Sequence, residues 1–216
     1  MRIGMMAAAL AAAMVVCPLA SAQEPAEPSG EGMYLHDGFY LRMAVGGGRF
    51  RDDFKHEITR LFGIGLEGHA EGASGSFEVS AGYALKPGLI LGGGVFIEQA
   101  VEPKVEIGDA DYSDTVSVGT LVMVGPMIEW YVNPEGGFFF GGGPVGARLQ
   151  IKDESGDLSD HEPVGGGLVA NVGYDFWVAE QWSLGIMGRF SVVSLRDDDI
   201  IHTVTVASAL LSVTYN

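Results

Sequence analysis

The sequence has little means of cross-linking itself and little positive charge. Its single cysteine is Cys17, so no disulfide framework is available. Twelve Lys and Arg stand against 28 Asp and Glu, a formal charge of −16; nucleic acid is excluded as a partner, because a phosphate backbone is bound by positive fields. Beyond the N-terminus there is no apolar run approaching the roughly 20 residues a transmembrane helix needs. The N-terminal stretch is itself too short: MRIGMMAAALAAAMVVCPLASAQ has one cation at Arg2, an apolar run from Met5 to Val16, and Ala20-Ser21-Ala22 ahead of Gln23. That is the form of a cleaved secretory signal over residues 1–22. Cys17 leaves with it, and Val16 is bulkier than lipoprotein processing accepts.

What is present contradicts the acidity. Mean hydropathy is positive, and 33 glycines are spread through the chain. Apolarity and charge must therefore be separated by position within one domain's length of sequence, Gln23 to Asn216. Residues 23–37, QEPAEPSGEGMYLHD, read as a flexible leader. From Gly38 the pattern has period 2 and predicts strands at 39–47, 77–85, 89–98, 116–132, 138–151, 164–178, 182–193 and 203–215. In the first, Phe39, Leu41, Met43 and Val45 share one face; in the second, Phe77, Val79, Ala81, Tyr83 and Leu85 do. No segment predicts a long helix, which excludes alternating α/β architecture.

GGFFFGGGPVG (136–146) contains a literal G-x-G-x-x-G at Gly141, Gly143 and Gly146. It lies in a predicted strand and is followed by ARLQI, so no helix N-terminus is available to hold a pyrophosphate. Gly-Gly-Gly recurs at 46–48, 92–94 and 165–167, and glycines in strands suit a small, strongly curved sheet.

Three patterns favour a closed barrel in a membrane. Connections alternate: short at 86–88, 133–137 and 179–181, long at 51–72, 99–115 and 152–162, with an intermediate one at 196–202. Phe39, Tyr40, Tyr83, Trp130, Tyr131, Phe138, Phe139, Phe176, Trp177, Trp182 and Tyr215 gather at the short-turn end, as in an interfacial aromatic girdle. Arg42, Glu78, Glu98, Glu129, Arg148, Asp175 and Arg189 each fall on the parity opposite the more apolar face of their strand. Lipid outside requires this, since an outward cation at mid-membrane costs about 2–4 kcal/mol. Counted from the turns, these charges sort into three levels: Arg42, Glu129 and Asp175; Glu78 and Arg189; Glu98 and Arg148. Each level holds a cation and a carboxylate, and a bridged luminal network is expected.

From Gly38 to the C-terminus the chain resembles the small eight-stranded outer-membrane β-barrels of Gram-negative bacteria, the OmpA-domain and OmpX-like group. The resemblance implies an all-β, eight-stranded antiparallel up-and-down transmembrane barrel over 38–216, with a periplasmic N-terminus. It also implies residence in outer-membrane lipid and lipopolysaccharide, and a monomer without cofactor. Such barrels usually end on an aromatic; here Tyr215 stands one residue before the end and takes that role.

The long connections are acidic, with Asp52, Asp53, Glu57, Glu67 and Glu71 in the first and Glu102, Glu106, Asp109, Asp111 and Asp114 in the second. Solvated loops are the simplest expectation; weak divalent-ion binding by 109–114 or 153–160 is the alternative, although neither has an EF-hand spacing. DDFKHEITRLF (52–62) is compatible with a short helix capped by Asp52. The five histidines, His36, His56, His69, His161 and His202, read as leader or loop residues, and none has a serine two positions on, so no catalytic motif emerges. The expected role is structural or surface-interacting, without catalysis. A lipid-A-modifying outer-membrane enzyme and a periplasmic lipocalin-like ligand-binding barrel remain as alternatives.

Overall fold

The structure, a computed structural model, describes residues 34–56, 67–101, 103–107, 110–111, 118–152, 162–197 and 200–216. The signal segment, residues 23–33 of the leader and residues 153–161 lie outside these. No helix occurs among the described residues. The strands are β1 (Phe39–His56), β2 (Glu67–Lys86), β3 (Leu89–Val101), β4 (Lys104–Ile107), β5 (Ala110–Asp111), β6 (Val118–Tyr131), β7 (Phe138–Lys152), β8 (Val164–Ala179), β9 (Trp182–Asp197) and β10 (Ile200–Tyr215). Neighbours pair antiparallel in the order β1-β10-β9-β8-β7-β6-β3-β2, and β1 also pairs with β2, so the sheet closes on itself. The eight long strands form an all-β antiparallel barrel, as expected.

Alternation runs the length of each wall strand. On β1, Tyr40, Arg42, Ala44, Phe50 and Asp52 are buried, while Phe39, Met43 and Val45 are exposed. Outward positions near the short turns form an apolar belt that includes Leu85, Leu91, Ile128, Val172, Phe176, Leu184 and Leu211. The belt spans about nine residues of each strand, every second one facing out, which is the length a tilted strand needs to cross a bilayer.

The strands outrun the expected ones at the long-connection end. β1 continues to His56 and β2 begins at Glu67, with Lys55 opposite Glu67. The helix expected over 52–62 is therefore absent from its described part: Asp52–His56 pairs with β10 and Asp52–Lys55 also with β2. Period 2 persists there, but the outward side chains change from apolar to Arg49, Arg51 and Asp53, because the wall has left the hydrocarbon. β4 continues β3 along β2 with a one-residue offset, Ser74↔Ala100 giving way to Glu71↔Lys104. This irregularity inverts parity, so that Ala100 and then Pro103 and Val105 are the buried positions. Such offsets are the usual effect of a β-bulge.

Two features of the wall come from special residues. Gly46 and Gly48 face inward, where a Cβ would meet the backbone carbonyls of Ala209 and Ala207; their triplet allows close approach of β10. Pro126 and Pro144 stand opposite each other, and the β6–β7 ladder lapses between Val124↔Gly146 and Ile128↔Gly142, since neither proline has an N–H to donate.

Two sequence expectations need correction at the short-turn end. Tyr40, Tyr131 and Phe139 are fully buried in the lumen; the outer girdle is made instead by Phe39, Tyr83, Trp130, Phe138, Phe140, Tyr174, Phe176 and Trp182. The last residues of the leader are not loose either. Tyr34 N–H donates to Glu180 O, His36 N–H to Pro134 O, and Gly88 N–H to His36 O, which ties residues 34–37 across three turns.

A ladder without edges unravels only by breaking a whole strand interface. The purified protein is expected to migrate in unheated SDS as a compact species and to shift on boiling. Identical migration with and without heating is inconsistent with the closed barrel.

Candidate functional site

Lipid outside leaves the lumen as the place for charge, and each of its two buried arginines gathers a cluster. In the one nearer the short turns, Arg42 on β1 lies 2.7 Å from Glu129 Oε1 on β6 and 3.1 Å from Asp175 Oδ2 on β8. Its Nη2 also donates to the Tyr131 hydroxyl at 2.8 Å, which in turn donates to Asp175 Oδ2 at 2.6 Å. Tyr40 donates to Glu129 Oε2 at 2.7 Å, and Arg42 Nε to Thr214 Oγ1 at 3.1 Å. The guanidinium is stacked 4.1 Å above the Phe139 ring. Inward position 185 on β9 is glycine, and a Cβ there would collide with the Asp175 carboxylate; the absent side chain makes room for the cluster.

The second cluster centres on Arg189 of β9. It is paired with Glu78 on β2, and its Nη1 lies 3.4 Å from Glu98 Oε1 on β3. Ser80 donates to Glu78 at 2.7 Å, Ser76 bonds Glu98, and the Phe96 ring faces the guanidinium at 4.9 Å. Glu98 thus sits with the middle level rather than in a third one.

Arg148 is the correction. It lies on the outer face of β7, half exposed, paired with Glu162. The expectation assumed that the more apolar parity of each strand faces lipid. In β7 that parity, with Phe139, Val145, Ala147 and Leu149, faces inward. The reason is an apolar plug: Phe50, Phe96, Leu121, Met123, Val145, Leu149, Val193, Leu195 and Val206 fill the lumen above the Arg189 cluster.

Beyond the plug, at the long-connection end, His202 Nδ1 on β10 lies 2.8 Å from Asp52 Oδ2 on β1. An ionised carboxylate only accepts, so the imidazole donates. Both residues are buried, although their segments read as solvated connection in the sequence. Phe54 flanks His202 at 5.9 Å between ring centres. His69, also read as a loop residue, lies in β2 near Glu106. Of the two stretches considered for divalent ions, 153–160 lies outside the described residues, as do Asp109 and Asp114.

No protein-family model matches the chain, and no curated protein matches it. Among solved structures it is similar to Neisserial surface protein A, at 14% identity over 83% of this chain and 97% of that one, TM-score 0.50. It is similar also to the outer membrane protein OprG from Pseudomonas aeruginosa, at 12% identity over 85% and 98%, TM-score 0.51. The chain has the fold of the small outer-membrane β-barrels. Both neighbours are matched over nearly their whole length, so the barrel accounts for the likeness.

In this barrel the short-turn mouth is closed by His36. Its ring stacks on Tyr131 at 3.4 Å and lies 4.6 Å from Trp177. Nε2 lies 3.2 Å from Gly136 O, and Nδ1 lies 2.9 Å from the Asn216 amide. The bond is to Oδ1, and Asn216 Nδ2 has no partner among the described residues. Turning that amide over sets its NH₂ against Nδ1 and leaves a neutral imidazole donating to Gly136. Burial lowers the His36 pKa below its ordinary 6.5, against the opposing pull of Asp175 and Gly136. The residue after Tyr215 thus has a structural task in the mouth.

These contacts set three expected outcomes. Arg189→Met is expected to cost on the order of 3–5 kcal/mol, because two buried carboxylates lose their cation. Adding Glu78→Gln restores part of that and Glu98→Gln more, read by chemical unfolding of the refolded barrel; strictly additive losses would mean that the groups do not interact. Arg148→Ala, which breaks an exposed pair, costs at most about 1 kcal/mol. For His36 the folded state binds its proton less readily than the unfolded chain. Its contribution is therefore whole above pH 6.5 and declines as pH falls through the lower folded value. His36→Phe should flatten the stability profile below pH 6.5; an unchanged profile would place the effect in another group.

Proposed function

We propose that the chain is a non-catalytic integral outer-membrane protein, a plugged monomeric barrel that presents acidic connections for contact at the cell surface. The observation that carries this is the filled lumen. Arg42 with two carboxylates, Arg189 with two more and an apolar plug occupy successive levels. Eight strands enclose a space only wide enough for side chains, and what remains for function is the surface at the ends. The apolar belt is suited to outer-membrane lipid and lipopolysaccharide as its surroundings. Closure of the ladder removes the strand edges through which a second copy would add.

A lipocalin-like periplasmic barrel would carry its polar face outward, and the exposed belt argues against it. The catalytic alternative would rest on the Asp52–His202 pair. The hollow beside it is lined by Phe50, Phe54, Pro103, Val105, Leu149 and Ile151 among others, and among the described residues that line it there is no Ser, Thr or Cys to serve as nucleophile.

Topology and conduction test the proposal together. Tags inserted after Asp109 and after Gly156 should be reached by antibody on intact cells, and the purified protein in planar bilayers should give no steady conductance. Labelling only after permeabilisation would reverse the orientation, and a steady large conductance would refute the plugged scaffold.

A further inference from the structure

Among the described residues, Arg49, Arg51, Lys55, Lys104, Arg148 and Arg196 are exposed at the long-connection end, and Lys86 is the one exposed cation at the other. In a chain with a formal charge of −16, that one-ended distribution requires a cause. On the outer face of β1, β2 and β4 these cations frame a hollow of about 560 Å³. Gly48, Gly72 and Ala73 keep its floor low, and Arg49, Glu71 and Lys104 stand around it. Arg51, Glu71 and Lys104 form one row across the ladder. Glu71 holds the two guanidinium groups side by side, Arg49 at 3.0 Å and Arg51 at 4.0 Å. The hollow opens sideways, at the height where outward side chains turn from apolar to charged. At Gly48 it adjoins a second one of about 650 Å³ on the lipid face, lined by Gly47, Ala170, Gly188, Phe190, Ala207 and Ala209 among others. The row Gly75, Gly47, Ala209 and Gly188 crosses four strands there with only glycine and alanine facing out.

We propose that the two hollows together hold one outer-leaflet lipid bearing a phosphate monoester, its phosphate between Arg49 and Lys104 with Arg51 beside them, and an acyl chain along Gly47 and Ala209. Position selects a lipid: the basic hollow faces outward from the wall rather than into the mouth, and its lower side continues into an apolar groove. Charge selects the headgroup. A phosphate monoester carries close to two negative charges and three acceptor oxygens, and the arginine fork matches it in two parallel hydrogen bonds. The carboxylates nearby do not forbid this. Arg51 pairs with Asp53 at 2.8 Å, and both side chains are about half exposed; exposed pairs of this kind contribute little and yield to a better acceptor. Cations still outnumber carboxylates around the hollow. The inference rests on the outer-membrane reading of the belt and names one lipid within it.

The test titrates the mature full-length barrel, in neutral-detergent micelles, with diphosphoryl lipid A and with the same lipid after its phosphates are removed. Bound copies are counted by native mass spectrometry. One phosphorylated lipid is expected to be retained, about tenfold tighter than the dephosphorylated form, the ratio a hydrogen bond to a charged group gives. Arg49→Gln with Lys104→Gln should bring the two forms to equal affinity, and Ala209→Phe, which fills the groove without touching a charge, should weaken both. Arg148→Gln, an exposed cation on the opposite wall, should change neither. Each variant is first shown to keep its heat-modifiable migration; if the double variant fails to fold, Arg49→Gln alone takes its place and should narrow the ratio. Equal affinity of the unaltered protein for the two forms would overturn the site, as would an equal loss in Arg148→Gln, which would mark a diffuse attraction. Displacement of the lipid by millimolar inorganic phosphate would assign the basic hollow to the free ion, and unchanged binding in Ala209→Phe would overturn the acyl path. None of these outcomes touches the outer-membrane reading, which fails instead if osmotic shock alone releases the protein.

Discussion

Closure of the ladder is the constraint from which the other features follow. β1 pairs with β10 on one side and with β2 on the other. In hydrocarbon there is no water to satisfy a backbone N–H or C=O, and a closed barrel is the one arrangement of strands that leaves no edge. Once closed, the wall has two environments that alternate residue by residue, and each side chain is committed to one of them. The lapse at Pro126 and Pro144 is tolerable because prolines remove the donors that would otherwise go unpaired.

Confinement then shapes the chemistry inside. Glu78, Glu98, Glu129 and Asp175 share the lumen with Arg42 and Arg189, and all six are buried. Arginine suits this place, since its planar fork serves several acceptors at once and stacks on aromatic rings. Arg42 does both, reaching Glu129, Asp175 and Tyr131 while lying on Phe139. Removing a cation from such a cluster leaves charges that have no route to water. The two mouths are finished differently. One is closed by His36 stacked over the Arg42 cluster, whereas the other ends in an apolar hollow beside a buried carboxylate.

Much of this was legible in the sequence, and the misses share one cause. The faces of β1 and β2 could be read because polar and apolar positions alternate cleanly there. The partners of Arg42 could be anticipated by counting from the turns. Tyr40 and Tyr131 were missed although they sit two positions from Arg42 and Glu129 on the same parity, because aromatics near a turn suggested a girdle. Arg148 failed because the rule that the apolar face meets lipid breaks where the lumen itself is apolar. In β7 the inward face carries Phe139, Val145 and Leu149, and glycine and proline fill much of the outward one. Asp52 and His202 were assigned to solvated connections because charge begins at Arg49, yet the strands run on past the belt.

The sequence by itself determined the class of the protein: period 2 without helices, short turns alternating with long connections, and charge kept to one parity admit a membrane barrel and little else. Those signals are local, set by how each residue meets its immediate environment. Beyond the Arg42 group and the Glu78–Arg189 pair, tertiary structure decided which charges meet. Asp52 and His202 are 150 positions apart, and Glu98 joins Arg189 rather than Arg148. Register and curvature around the barrel fix those distances, and both depend on all eight wall strands closing together.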